Sequence, residues 1–154
     1  MAENQSIDLI PFYPFLYEEL FEPETVVFED EYIAAGQKIA LLELEGAGIL
    51  QFLFLKVNTP DLDIIFETDG KSIIHNIRSL YEIGLTFPSN NFPFLSRYDT
   101  SANIYCFVYD PSFPLSFSRY CHIHAHNRSS SAASFSATIS LVKITEKLLE
   151  IAKL

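Results

Sequence analysis

From residue 36 onward, short apolar runs are separated by turn-forming clusters, and several of them alternate apolar with polar residues at the period of two expected of half-buried strands. Residues 38–45 end in such an alternation, Leu42-Glu43-Leu44-Glu45, and Gly46-Ala47-Gly48 stops them, which predicts a strand and a turn. Residues 49–57 are apolar on both faces, the pattern of a central strand covered on each side or of a strand at an interface. A turn at 58–61 leads to a strand at 62–68. Asp69-Gly70 then reads as a tight hairpin turn that needs positive φ, and residues 71–74 as its return or as the entry to a helix. Ile73, Ile74, Ile77, Leu80 and Tyr81 fit helical spacing, so a short helix is expected between 73 and 83. Residues 86–100 hold Pro88, Asn90, Asn91 and Pro93 and read as a loop of about fifteen residues, long enough to imply a purpose. Further strands are expected at 103–109, 116–126 and 134–144, the last two joined as a hairpin through a polar tip at 127–133. Residues 145–154 combine a cap residue with helix formers and predict a closing helix, with a continued strand as the alternative.

The first thirty residues break this pattern. Residues 11–17, Pro-Phe-Tyr-Pro-Phe-Leu-Tyr, combine two prolines with four aromatic rings, and proline fixes φ and removes a backbone donor, favouring an extended segment. The chain therefore divides into an extended N-terminal arm at 1–31 and a single β-sandwich domain at 32–154. The fold class is mainly β, an antiparallel β-sandwich or jelly roll with one or two short helices. Phe12, Tyr13, Phe15, Leu16 and Tyr17 of the arm must bury their side chains, either on their own domain or across a neighbouring subunit. Phe87, Phe92 and Phe94 are the corresponding contact candidates in the long loop. The acidic run that follows the arm reads as a solvated face.

Composition narrows the function. With 154 residues and 49% hydrophobic content the chain suits one core. Ten Lys and Arg against twenty Asp and Glu leave a formal charge of −10, which opposes phosphate backbones and anionic lipid, so neither nucleic acid nor membrane is an expected partner. The N-terminus lacks the basic and apolar regions of a secretory signal, and the longest apolar stretch, 47–55, is far short of the roughly 20 residues of a membrane span. A soluble chain is expected. Cys106 and Cys121 read as small core residues, with a disulfide only if their strands lie side by side.

Candidate chemistry concentrates in residues 121–126, Cys-His-Ile-His-Ala-His, where the period of two puts His122, His124 and His126 on one strand face, about 7 Å apart. Two of them could share a divalent metal, but three in line cannot reach one ion unless the strand bends, and no Asp or Glu lies between Asp110 and Glu146. The larger expectation is a polar outer face, with Tyr120 or Cys121, Ile123 and Ala125 inward and no resident cofactor. In a trimer, histidines of three copies could instead meet on the axis as a metal site or a pH-sensitive contact. No nucleophile elbow, phosphate loop or zinc-protease motif occurs. The catalytic competitor is a cupin-like metal enzyme, which needs the histidine strand to face a barrel interior together with a Glu or another His, for which His75 is the only spare. A carbohydrate-binding module is the third reading, weakened by the absence of Trp.

Residues 46–57, Gly-Ala-Gly-Ile-Leu-Gln-Phe-Leu-Phe-Leu-Lys-Val, residues 62–70, Leu-Asp-Ile-Ile-Phe-Glu-Thr-Asp-Gly, and the run from Phe113-Pro114 to Asn127-Arg-Ser-Ser130 are together similar to tailed-phage and related virion structural proteins. There, a glycine-led strand is followed by one ending in Asp-Gly, and a later strand ends at an Asn before a Ser-rich segment. The resemblance implies a non-enzymatic role in capsid decoration, head completion or a tail. It also implies a homo-oligomer, such as a trimer, that contacts major capsid or other virion proteins, and a location in the virion after synthesis in the host cytoplasm.

Overall fold

The structure, a computed structural model, describes residues 20–145. The aromatic cluster at 12–17 and the expected closing helix at 146–154 lie outside the described residues. Within them run β1 (Phe21–Ile33), β2 (Lys38–Glu45), β3 (Gly48–Val57), β4 (Leu62–Thr68), β5 (Lys71–Asn76), α1 (Ile77–Glu82), β6 (Phe94–Asp99), β7 (Ile104–Tyr109), β8 (Leu115–Phe117), β9 (Tyr120–Asn127) and β10 (Ala133–Ile144). Of the segment read as an arm, residues 21–31 belong to β1, which runs antiparallel along β10 as an edge strand and so accommodates Pro23.

The strands form two antiparallel sheets, β1-β10-β3-β7-β6 with β8 also on β3, and β2-β9-β4-β5. Four of their pairings are nested, beside the separate β6–β7 hairpin. β4 pairs with β5 through the Asp69-Gly70 turn, β3 with β7, β2 with β9 and β1 with β10. A long antiparallel ribbon closed at one hairpin and rolled so that successive pairs alternate between two sheets is a jelly roll. The sandwich expected from the pattern is therefore present, with one short helix, α1.

Bulges explain why the apolar alternation was hard to follow. Gln51 is the extra residue where β3 meets β10, so Leu50 and Leu53 both point inward. Leu41 is the extra residue of β2 against β9, and Leu41 and Leu42 are both buried. The core lies between the sheets, with Leu50, Leu53, Leu55, Phe107, Phe135 and Ile139 from one and Ile64, Phe66, Cys121, Ile123 and Ala125 from the other. Fully burying each large side chain contributes about 1.5–3 kcal/mol. Cys106 and Cys121 sit in opposite sheets, both buried and free, so no disulfide joins them; Cys121 belongs to the core between the sheets, whereas Cys106 lies on the other face of β7, opposite Lys56 and Arg97. Burial raises the thiol of Cys121 to about 12, leaving it protonated and unreactive at neutral pH.

Four expectations need correction. Residues 71–76 are the strand β5, and the helix is only Ile77–Glu82, because the tight turn holds 71–76 in register with β4 while the Asn76 side chain caps Ser79 N. The second half of the supposed loop, Phe94–Asp99, is β6, anchored on β7 by buried Leu95 and bulged at Ser96. The run 116–126 is broken into β8 and β9, which lie in different sheets. For the same reason 127–133 is a crossing between sheets and not a hairpin: β9 pairs with β2 and β4, β10 with β1 and β3.

The break between β8 and β9 is held by Asp69, at φ 49° in the hairpin turn, where Asp is among the residues that tolerate left-handed backbone. Its carboxylate accepts from Ser118 N (2.8 Å), Arg119 N (2.7 Å), Tyr120 N (3.3 Å) and the Ser118 hydroxyl (3.2 Å). Donation from the Ser118 and Arg119 amides above all lowers its pKa from the ordinary 3.8 to about 2. A depressed folded-state pKa stabilises the fold above the unfolded value and ceases to do so as pH falls through the folded one. Urea unfolding of the parent chain is therefore expected to weaken between about pH 4 and pH 2 more steeply than that of Asp69→Asn, which keeps the turn but cannot titrate. Parallel acid profiles would remove Asp69 from this role.

Candidate functional site

Strand β9 lies between β2 and β4, and its burial alternates: Cys121, Ile123, Ala125 and Asn127 inward, Tyr120, His122, His124 and His126 outward. The histidine ladder is thus on the solvent face of the smaller sheet, with the His122 and His124 rings 6.4 Å apart. Strand pairing supplies the carboxylates that local sequence lacks. Glu43 and Glu67 flank His122, Ala40 and Ile65 flank His124, and Lys38 and Asp63 flank His126.

The imidazoles engage separate neighbours. His122 Nε2 lies 2.6 Å from Glu45 Oε1, His124 Nε2 lies 3.9 Å from Glu43 Oε1, and His126 Nε2 lies 3.2 Å from the Gly36 carbonyl. His124 Nδ1 is buried with no hydrogen-bond partner. Among the described residues no three His, Cys, Asp or Glu side chains are grouped to hold one metal ion. Asp63, buried at the end of this face, is committed to Asn76 Nδ2 (2.8 Å) and to Arg128 (3.2 Å).

His75 is on the other side of the sheet. It pairs with Ile64, whose side chain is in the core, whereas His124 pairs with Ile65 on the outer face. A cupin-like centre would need the histidine strand to face an interior together with a Glu or another His, whereas the ladder faces outward and period-two alternation puts His75 on the opposite face. That reading is corrected on geometry.

Of the loop candidates, Phe87 and Phe92 are exposed, and Phe94 is half-buried in β6 opposite Val108. They belong to a larger feature that pattern reading missed. Seven of the nine exposed large hydrophobic side chains among the described residues are Ile73, Ile74, Tyr81, Ile83, Phe87, Phe92 and Phe113. All lie on β5, an edge strand among the described residues, on α1, or on the loops beside it. Ile73 and Phe92 line one cavity, and Ser112 N donates to the Asn90 carbonyl at 2.9 Å, which ties the loop bearing Phe113 to the one bearing Phe92. The readable signal was the adjacent pair Ile73-Ile74 next to a hairpin turn, where one residue of the pair must face outward whichever the register.

The described chain is thus a jelly-roll sandwich with a polar histidine face and an apolar flank, and no helix among the described residues is long and apolar enough to cross a membrane. No family model matches the chain, and no curated protein does. Among solved structures, it is similar to the infectious bursal disease virus VP2 subviral particle, at 12% identity and a TM-score of 0.38, over 80% of this chain and 33% of that one. It is also similar to the structure of the infectious bursal disease virus Gx strain, at 13% identity and a TM-score of 0.19, over 84% of this chain and 43% of that one. The chain spans about a third of the length of the first of these.

Proposed function

We propose that the chain is a non-enzymatic virion structural subunit that assembles with copies of itself or with other capsid proteins through the β5 flank. The concentration of exposed apolar side chains there carries the reading, with Ile83 71%, Phe87 76% and Phe113 86% exposed at the end of α1 and on the loops tied to it. Chains that act alone rarely leave so many large apolar groups together in water. β5 is an edge strand of its sheet among the described residues, and an edge strand is a further element that a neighbour can pair with. The aromatic segment at 12–17 gives the chain a second apolar element to set against a neighbour. A shell or decoration subunit fits such a surface, since both roles bury it permanently.

Size-exclusion chromatography with light scattering on the full chain tests this. The parent chain is expected to be an oligomer, and Ile74→Glu/Ile83→Glu to dissociate it at least about tenfold more readily with an unchanged unfolding midpoint. A parent chain that stays monomeric at every concentration, with or without other capsid proteins, overturns the proposal. Deleting residues 1–19, which leaves β1 whole, measures the arm separately: unchanged assembly removes the arm from the contact.

A further inference from the structure

Between the two sheets, at the margin where β5 faces β7 and β8, is a cavity of about 230 Å³ lined by Phe66, Ile73, His75, Phe92, Tyr109 and Leu115. Phe66, Ile73 and His75 come from the smaller sheet, Tyr109 and Leu115 from the larger, and Phe92 from the loop before β6. Apolar cavities of roughly 150 Å³ already bind benzene, so this one has room for a bicyclic ring.

Its polar side chains are His75 and Tyr109 on the two sheets and Asn91 on the loop beside Phe92. The His75 ring packs on Phe66 (centroids 5.7 Å apart) and Phe107 (6.2 Å). Neither its nitrogens nor the Tyr109 hydroxyl has a hydrogen-bond partner among the described residues, and none of these atoms is sealed from the cavity and solvent. Burial lowers the His75 pKa and raises that of Tyr109, so both stand neutral at pH 7. No Lys, Arg, Asp or Glu lines the cavity, so a charged ligand would lie there unpaired.

We propose that this cavity is a binding site for a neutral, planar aromatic molecule of one or two rings bearing one hydroxyl group, its rings among Phe66, Phe92 and Leu115 and its hydroxyl on His75 and Tyr109. The imidazole supplies one acceptor and one donor, and the Tyr109 hydroxyl completes the pair. An apolar pocket with a few convergent polar groups is the common form of a small-molecule site.

The probes are 2-naphthol and naphthalene, which differ only in the hydroxyl, titrated into the full chain and followed by their own fluorescence, which a chain without Trp does not mask. 2-Naphthol is expected to saturate with a Kd on the order of 100 μM. His75→Phe, which keeps the ring packing, should weaken 2-naphthol about tenfold and leave naphthalene unchanged. Tyr109→Phe, which removes a single oxygen, should act in the same direction and keeps the test available if His75→Phe does not fold. Leu115→Phe, which occupies the cavity, should weaken both probes. No saturable 2-naphthol binding, or equal binding by all these variants, overturns the proposal. Because Ile73 and Phe92 belong to both the flank and the cavity, the titration is repeated on the dissociated Ile74→Glu/Ile83→Glu variant, where the flank is uncovered, while light scattering reads assembly, so either proposal can fail without the other.

Discussion

Replacing Asn127 with leucine is expected to lower stability by about 4 kcal/mol, the largest loss from a single polar side chain in this fold. Asn127 is wholly buried at the end of β9. Its Nδ2 donates to the carbonyls of Ile33 (3.0 Å), Ala34 (3.3 Å) and Ser131 (2.8 Å), and its Oδ1 accepts from Ser129 N (3.0 Å) and Ser129 Oγ (2.7 Å). One side chain thus joins the end of β1 to the crossing that leads into β10. Leucine has nearly the same volume but strands these groups, and each buried polar group left unpaired costs about 1–3 kcal/mol. Asn127→Asp is expected to be no milder, since it sets a carboxylate against the three carbonyls that Nδ2 now serves. Urea unfolding measures both, and a loss below about 1 kcal/mol for leucine would mean that water replaces the side chain.

Gly48→Val should cost about 3 kcal/mol for a different reason. Gly48 opens β3 with β10 on one side and β8 on the other, opposite Lys143 and Phe117. A Cβ there would meet Phe117 Cζ at 2.6 Å and the Val142 carbonyl oxygen at 2.8 Å. Neither can yield easily: the ring is buried and the oxygen belongs to a central strand. Chemical denaturation of Gly48→Ala with and without Phe117→Leu separates the two obstacles. The ring's share should return in the double variant and the carbonyl's should not. Full stability of Gly48→Ala alone would contradict the close packing of β8 on β3.

What could be read in advance follows from where the information is local. The Asp69-Gly70 turn, the two-faced β3 and the outward histidines depend on neighbours in sequence and were legible. The partners of the histidines were not, because Glu45 and Glu43 reach them through the pairing of β2 with β9, and only topology brings those strands together. Bulges at Leu41, Gln51 and Ser96 shift the period by one residue and disguise the buried face. β6 was hidden by Pro93 and the asparagines before it, although Leu95 marks its inward side. The change of sheet between β8 and β9 has only Ser118-Arg119 to announce it, and the reason for it, Asp69, lies far back in the chain. The cavity beside His75 is a property of two sheets and a loop, beyond the reach of any single run of residues.

The nested pairing has a consequence for how the molecule is made. On the ribosome, Phe21 is made well before its partner Ile144, with every other described strand in between. Only the β4–β5 hairpin joins neighbours through a two-residue turn, so it is the natural place for folding to begin, and each later pair closes a longer loop than the one inside it. The nascent chain must hold β1, with its Val26-Val27-Phe28 run, unpaired throughout that interval. The glutamates around that run, Glu22, Glu24, Glu29 and Glu31, act in the meantime as gatekeepers against premature strand pairing between chains.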